Sequence, residues 1–275
     1  MLANRLIFKK SNMPDTVIIA HRGLDEVYPE NTVSAFKAAL EKGMGIEIDV
    51  RGTSDDELIV LHDDTVDRTT NGEGRVAQMT LGEVKALDSG SWWSPKFADE
   101  RIPTLMEVFD TVKEYGTADT TLFIEMKTLD PGCITKICNG LAERGLMSST
   151  VGLGLIHLSV DVRRRFYEGS ADFQCATVAN TADELPVAIA DPYSSWIYAR
   201  YLMSAENVQA AHDGGKKVIA SGPPVMQDLD AMVASAEVGA DSVLSYHPDA
   251  LLTRLNSLVA RIFGGAQIGG RKTKY

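Results

Sequence analysis

The chain has little cysteine. Cys133, Cys138 and Cys175 make an odd number, and their spacing fits no zinc-binding pattern. This argues against a disulfide framework and a structural zinc site, and the expectation is free buried thiols in a reducing compartment. Long apolar runs are missing too. No window approaches the ~18 apolar residues of a membrane-spanning helix. The opening stretch "MLANRLIFKKSNMPD" has no apolar segment of secretory length. We read a cytoplasmic protein with no stable membrane insertion. Positive charge is outnumbered, with 27 Lys and Arg against 38 Asp and Glu and a net charge of −11. That balance argues against a nucleic-acid partner, which needs a basic surface. It leaves room for a small anionic substrate, because a bound cation can reverse the local field. No internal repeat stands out, and no G-x-G-x-x-G follows the first apolar run.

What is present is an alternation. Apolar, β-branched runs occur at Val17–His21, Ile46–Val50, Leu122–Lys127, Val151–Ile156, Gln174–Val178, Trp196–Ala199, Lys217–Ser221 and Ser242–Tyr246. Amphipathic stretches connect many of them. "NTVSAFKAALEKG" puts Val33, Phe36 and Leu40 on one helical face, with Asn31 or Thr32 as cap and Gly43 as stop. Strands alternating with helices imply a parallel sheet. Eight such units in 275 residues favour a (β/α)8 TIM barrel, with a doubly wound open sheet as the alternative.

One segment breaks the pattern. After Asp49 comes "VRGTSDDELIVLHDD", in which Leu58–His62 reads as another strand. Too few residues separate it from Asp49 for a helical crossover, so an antiparallel hairpin is expected. A turn centred between Asp55 and Asp56 would pair Asp49 with His62. Residues of about 64–115 then read as a small insertion over one barrel mouth, with Trp92 and Trp93 in an aromatic loop. The whole of 1–275 is expected to be one barrel domain with a flexible tail at about 264–275.

The polar residues sit at strand ends. Glu47 and Asp49 are two apart in "GIEIDV", so both carboxylates share one face of a strand. Glu125 and Lys127 repeat the spacing at another strand end. Three carboxylates in one apolar mouth would favour a divalent cation with oxygen ligands, Mg²⁺, Ca²⁺ or Mn²⁺. His21 and His62 end two further strands and make a natural acid–base pair. Arg22 offers a planar fork for phosphate, and Gly23 permits a tight turn behind it. Taken singly, these features have plainer readings: solvated strand-end acids, an inward Glu–Lys pair, two unrelated histidines. Their accumulation at several strand ends favours a single site. His157 and His247 are weaker candidates for the same mouth, and His212 reads as surface.

The motifs "HRG", "PENT", "EIDV", "LIVLHDDTVDRTT", "IPTLMEVF" and "FIEMK" stand in the order found in glycerophosphodiester phosphodiesterases, and the chain resembles that family, most closely from Val17 to Lys127. The resemblance implies a (β/α)8 barrel with a small insertion. It implies His21 and His62 as general acid and base, Glu47, Asp49 and Glu125 as ligands of one divalent cation, and Arg22 and Lys127 as phosphate contacts. Glu30 of "PENT" has a supporting role. The implied reaction is metal-dependent hydrolysis of a glycerol-type phosphodiester to an alcohol and glycerol 3-phosphate. A sphingomyelinase D-like phospholipase and a non-catalytic binding protein on the same barrel are the alternatives. Two strand ends depart from the family pattern: "VIASGPP" stands where a Trp-Thr-Val-Asn strand end is usual, and "SYHPD" where Thr-Asp is usual. Loss of an aromatic at Ser221 is expected to open space for a more polar alcohol moiety.

Overall fold

The computed structural model describes residues 16–127, 131–153, 159–170 and 172–264. The expected tail from 265 onward and His157 lie outside the described residues. The strands are β1 (Val17–Ala20), β2 (Gly45–Gly52), β3 (Leu58–Val60), β4 (Leu122–Met126), β5 (Thr150–Leu153), β6 (Gln174–Ala179), β7 (Trp196–Ala199), β8 (Lys217–Ala220) and β9 (Ser242–Ser245). The helices are α1 (Val33–Glu41), α2 (Leu81–Lys85), α3 (Leu105–Tyr115), α4 (Pro131–Arg144), α5 (Val160–Gly169), α6 (Leu185–Ala190), α7 (Ala205–Asp213), α8 (Pro223–Met226), α9 (Leu229–Glu237) and α10 (Pro248–Gly264). All strands but β3 pair in parallel, and β1 pairs with both β9 and β2. The sheet is therefore closed into an eight-stranded (β/α)8 barrel, with β3 hung antiparallel on the outer end of β2.

Strand parity divides the core in two. Ile19, Phe123, Val151, Ala176, Trp196, Tyr198, Ile219 and Leu244 pack together as the barrel interior. Their neighbours of opposite parity, among them Ile18, Ile48, Ile124, Ile197 and Val243, pack outward against helix faces such as Phe36, Leu40 and Phe109. Each fully buried Phe here is worth about 3–5 kcal/mol against Ala. A further inward step along each strand, toward its C-terminal end, leads out of the apolar plug and into the mouth. That step delivers His21 after Ile19, Glu125 after Phe123, Ser221 after Ile219 and Tyr246 after Leu244.

A third, smaller core joins Ile59 and Leu61 to Val66, Val76, Val84 and Ile102, and so seats the segment between β3 and α3 on the barrel. Capping boxes at Thr80/Glu83 and Thr104/Glu107 start α2 and α3. α3 itself packs with α1 and α4 in the outer ring of helices.

The β2–β3 hairpin forms, but its register differs from the expected one. Val50 pairs with Val60, Arg51 with Ile59 and Gly52 with Leu58, so Asp49 stands opposite Leu61 rather than His62. The Leu61 N–H donates to the Asp49 carbonyl at 2.9 Å. The cause is an odd-length turn. The Thr53 hydroxyl donates to Asp55 Oδ1 at 2.6 Å and accepts from the Glu57 N–H at 3.0 Å. Asp56 adopts a left-handed φ of 61°. The turn thus centres on Asp55, one half-residue before the expected centre, and the pairing is displaced by one residue.

Candidate active site

β1 ends in an unusual backbone path. Arg22 and Gly23 are both left-handed, with φ of 52° and 83°. Gly23 lies so close to α1 that a Cβ on it would sit 2.7 Å from that of Ala35. The turn is closed by the Asn31 N–H donating to the Arg22 carbonyl at 3.0 Å, and Asn31 is itself left-handed at φ 56°. Such non-glycine residues cost of order 1–3 kcal/mol each and cluster at functional sites. Here the strain aims Arg22 across the mouth and frees Asn31, because Thr32 takes the α1 cap instead.

Glu47, Asp49 and Glu125 converge, with ligand atoms all within 4.8 Å of one another. Parity and register explain this. Glu47 and Asp49 share a face of β2, and Asp49 is the direct partner of Glu125 across the parallel β2–β4 pairing. Two cations interleave with them. Lys127 Nζ lies 2.5 Å from Glu125 Oε1 and 3.2 Å from Asp49 Oδ1. Arg22 Nε lies 3.2 Å from Asp49 Oδ2, and the Arg22 backbone N–H donates to Glu47 Oε2 at 3.2 Å. Asn31 Nδ2 donates to Asp49 Oδ2 at 2.9 Å.

The three acids are unequal. Glu47 is completely buried beside two other carboxylates, so burial first and then Asp49 and Glu125 push its carboxyl well above the usual range. Burial would raise Asp49 as well, but Arg22 and Lys127 outweigh it and hold that carboxyl low. The same partners raise Arg22 and Lys127 against the opposing effect of burial.

The donor set fits a hard divalent cation. It is all carboxylate oxygen, converging from two strands. Among the described residues Glu47 forms no ion pair with a side-chain cation, and Asp49 Oδ1 meets Lys127 Nζ at 3.2 Å. A dication between them would neutralise charge that the two protein cations leave uncompensated.

The histidines flank this cluster. His21 is buried, its Nδ1 3.6 Å from Asp25 Oδ2 without a hydrogen bond, and Tyr246 stands edge-on to its ring at 4.4 Å. His62 is half-buried, and its Nδ1 lies 2.7 Å from Asp63 Oδ1. Arg51 fixes the His62 backbone by donating to its carbonyl from Nε and Nη2, at 2.9 and 2.6 Å. Thus the seven residues singled out in the sequence all lie at the C-terminal end of the barrel strands or on the hairpin beside it.

Several neighbours of these residues carried little or no signal in the sequence. Asn31 was read only as a possible cap, and having two cap candidates for one helix was the available signal. Glu30, given a supporting role, bonds Arg22 Nη1 at 2.9 Å and is held low by Arg68 and Arg22 despite burial. Asp63 and Arg68 lie in "HDDTVDRTT" without a periodicity that marks them. The altered strand ends behave differently from expectation. Ser221 is fully buried, and Met226 Sδ sits 3.4 Å from its hydroxyl, so it offers no open surface. His247 lies outward, its Nδ1 2.6 Å from Glu26 Oε1.

The sequence pattern of the glycerophosphoryl diester phosphodiesterase family matches residues 21–139. A glycerophosphodiester phosphodiesterase of Caldanaerobacter subterraneus subsp. tengcongensis is 36% identical over 245 residues, covering 86% of this chain and 96% of that protein. The crystal structure of a glycerophosphodiester phosphodiesterase from Agrobacterium tumefaciens superposes with a TM-score of 0.71 at 25% identity, covering 86% of this chain and 99% of that one. An Oleispira antarctica phosphodiesterase, solved in complex with the product sn-glycerol-3-phosphate, superposes with a TM-score of 0.69 at 22% identity over 89% of this chain and 97% of that one. With a relative this similar over nearly its full length, and with the barrel and its acidic mouth in place, the chain belongs to the glycerophosphodiester phosphodiesterase family, a family of phosphoric diester hydrolases.

Proposed function

We propose that this protein hydrolyses a small glycerol-type phosphodiester to an alcohol and glycerol 3-phosphate, with one divalent cation, Mg²⁺, Ca²⁺ or Mn²⁺, held by Glu47, Asp49 and Glu125. The observation that carries the proposal is the convergence of those three carboxylates with Arg22 and Lys127 interleaved among them. When bound, the cation supplies Lewis acidity, polarising phosphoryl oxygens and easing deprotonation of an attacking hydroxyl or water. The side chains do the rest. Arg22 keeps N–H donors beyond those aimed at Glu30 and Asp49, and these bind non-bridging phosphate oxygens alongside Lys127. Both cations neutralise charge that grows on the phosphate in the transition state.

His21 and His62 handle the protons. One accepts the proton of the attacking oxygen as its bond to phosphorus forms. The other protonates the alcohol oxygen as its bond to phosphorus breaks. His62 donates Nδ1–H to Asp63, so Nε2 is its working atom. Asp63 stays a carboxylate because the Arg68 hydrogen bond outweighs burial and, with the bond from His62, holds it down at about 2.

No helix among the described residues is long and apolar enough to cross a membrane. Cys133, Cys138 and Cys175 form no disulfide with one another, which supports a cytoplasmic setting. The test is a panel of glycerophosphodiesters assayed with chelated protein before and after Mg²⁺, Ca²⁺ or Mn²⁺ is returned. Release of glycerol 3-phosphate only in the metal-restored samples is expected. Full turnover in excess chelator would overturn the metal assignment.

A further inference from the structure

His62 and Arg22 come from different strand ends, yet a continuous chain of charge-assisted hydrogen bonds joins them. His62 Nδ1 meets Asp63 Oδ1 at 2.7 Å. Arg68 then takes Asp63 with Nε on Oδ2 at 2.6 Å and Nη2 on Oδ1 at 3.2 Å. The same guanidinium takes Glu30 with Nη1 on Oε2 and Nη2 on Oε1, both at 2.8 Å. Glu30 Oε1 in turn accepts from Arg22 Nη1 at 2.9 Å, and Arg22 reaches Asp49. One arginine thus grips two carboxylates in two forks, using Nε and both terminal nitrogens.

We propose that Arg68 is a positioning residue that locks the proton-transfer histidine, through Asp63, and the phosphate-binding arginine, through Glu30, into one geometry. This rests on the reading of His62 and Arg22 given above and assigns to the "DRTT" segment a part in that reaction.

Stability alone is a poor account of the arrangement. The Arg68 side chain is 44% exposed. Ion pairs made by so exposed a side chain contribute little to stability. What a double fork supplies is direction, since a planar guanidinium fixes the planes of both carboxylates. An Asp63 carboxylate fixed in its plane fixes the imidazole plane of His62, and hence the direction of Nε2. A Glu30 fixed in its plane keeps the Arg22 guanidinium extended across the mouth. Arg68 also belongs to the segment that packs on Ile59 and Leu61 through the third core, so this loop carries a structural anchor and the lock together.

The test compares Arg68→Ala and Arg68→Lys with wild type and His62→Ala. Arg68→Lys keeps the charge but cannot form two forks. Both Arg68 variants are expected to lose about 10–100-fold in kcat, the range seen when groups that orient site ligands are removed. KM and the thermal midpoint should change little. Guanidinium ion at tens of millimolar should restore part of the Arg68→Ala rate, which a purely structural role would not allow. Nitrogen-resolved NMR of the His62 ring gives a readout free of turnover: the Nδ1-bound proton should be protected in wild type and exchange rapidly in Arg68→Ala. Unchanged protection of that proton, or kcat within twofold of wild type while His62→Ala is impaired, would overturn the lock. Unimpaired His62→Ala would instead overturn the underlying role of His62.

Discussion

Asp49 and Glu125 are direct partners across the parallel β2–β4 pairing, and Lys127 reaches both. Glu47, two residues earlier on the same face of β2, has among the described residues only the Arg22 backbone N–H as a hydrogen-bond donor. The cluster is therefore compensated on one side and overcharged on the other.

Glu47→Gln should separate these two sides. It removes a carboxyl whose ionisation burial and two neighbouring carboxylates oppose, so the metal-free protein should unfold at the same temperature or higher. Affinity for Mg²⁺ or Mn²⁺, read by titration calorimetry, should fall by about 10²-fold or more, since even groups that only orient metal ligands are worth 10–100-fold. Unchanged metal affinity would remove Glu47 from the ligand set.

His21→Ala and His62→Ala should each lower kcat by about 10²–10⁴-fold, the usual contribution of a general acid or base. A substrate with a nitrophenol leaving group needs no protonation of the departing oxygen. It should rescue the variant that has lost the acid and leave the other impaired. Rates near normal for both variants on a glycerol diester would refute the pairing.

Much of this site was legible because strand parity is a local property. "GIEIDV" and "FIEMK" place Glu47 with Asp49 and Glu125 with Lys127 on common faces, whatever lies elsewhere in the chain. The hairpin was legible for the same reason, but its register was not. Register depends on whether the turn holds an even or odd number of residues, and the left-handed Asp56 and the Thr53 side chain decide that. Also illegible were contacts between residues far apart in sequence. Tyr246 reaches His21 only because β9 closes the barrel onto β1, and Arg68 reaches Glu30 only because its loop folds back over the mouth. A half-exposed arginine in a loop carries no pattern that marks it. The loss of an aromatic at Ser221 was visible, but not the Met226 side chain that packs against the serine.

Asp63 makes a prediction for acid stability. Its carboxyl is depressed to about 2 by hydrogen bonds from Arg68 and His62. An unfolded Asp titrates near ~3.9. Its stabilisation is thus fully present above about pH 4 and lost as the pH falls toward 2. Because the group is partly exposed and its Arg68 partner is 44% exposed, the contribution should be about 1 kcal/mol or less after screening. Urea unfolding between pH 5 and 2 should show Asp63→Asn flattening this limb of the profile. An identical pH dependence in the two proteins would count against the depressed carboxyl.

The turn after β1 gives the sharpest test of how backbone serves the site. Gly23 and Gly43 are both left-handed, with φ of 83° and 77°. Around Gly43, just past α1, nothing lies within 4 Å of an added Cβ, whereas at Gly23 the added atom would meet Ala35 at 2.7 Å. Gly43→Ala should therefore cost only the left-handed penalty, about 1–2 kcal/mol, and leave kcat intact. Gly23→Ala adds an overpacking cost of about 1–3 kcal/mol to the same penalty. Relief can come only from moving α1 or the β1 end. Moving the β1 end displaces His21 and Arg22, and moving α1 shifts Asn31 at its start, which holds Asp49. Gly23→Ala should thus lower kcat at temperatures far below its unfolding midpoint, while Gly43→Ala should not. Equal kcat for the two variants at such a temperature would show that the turn serves the fold alone.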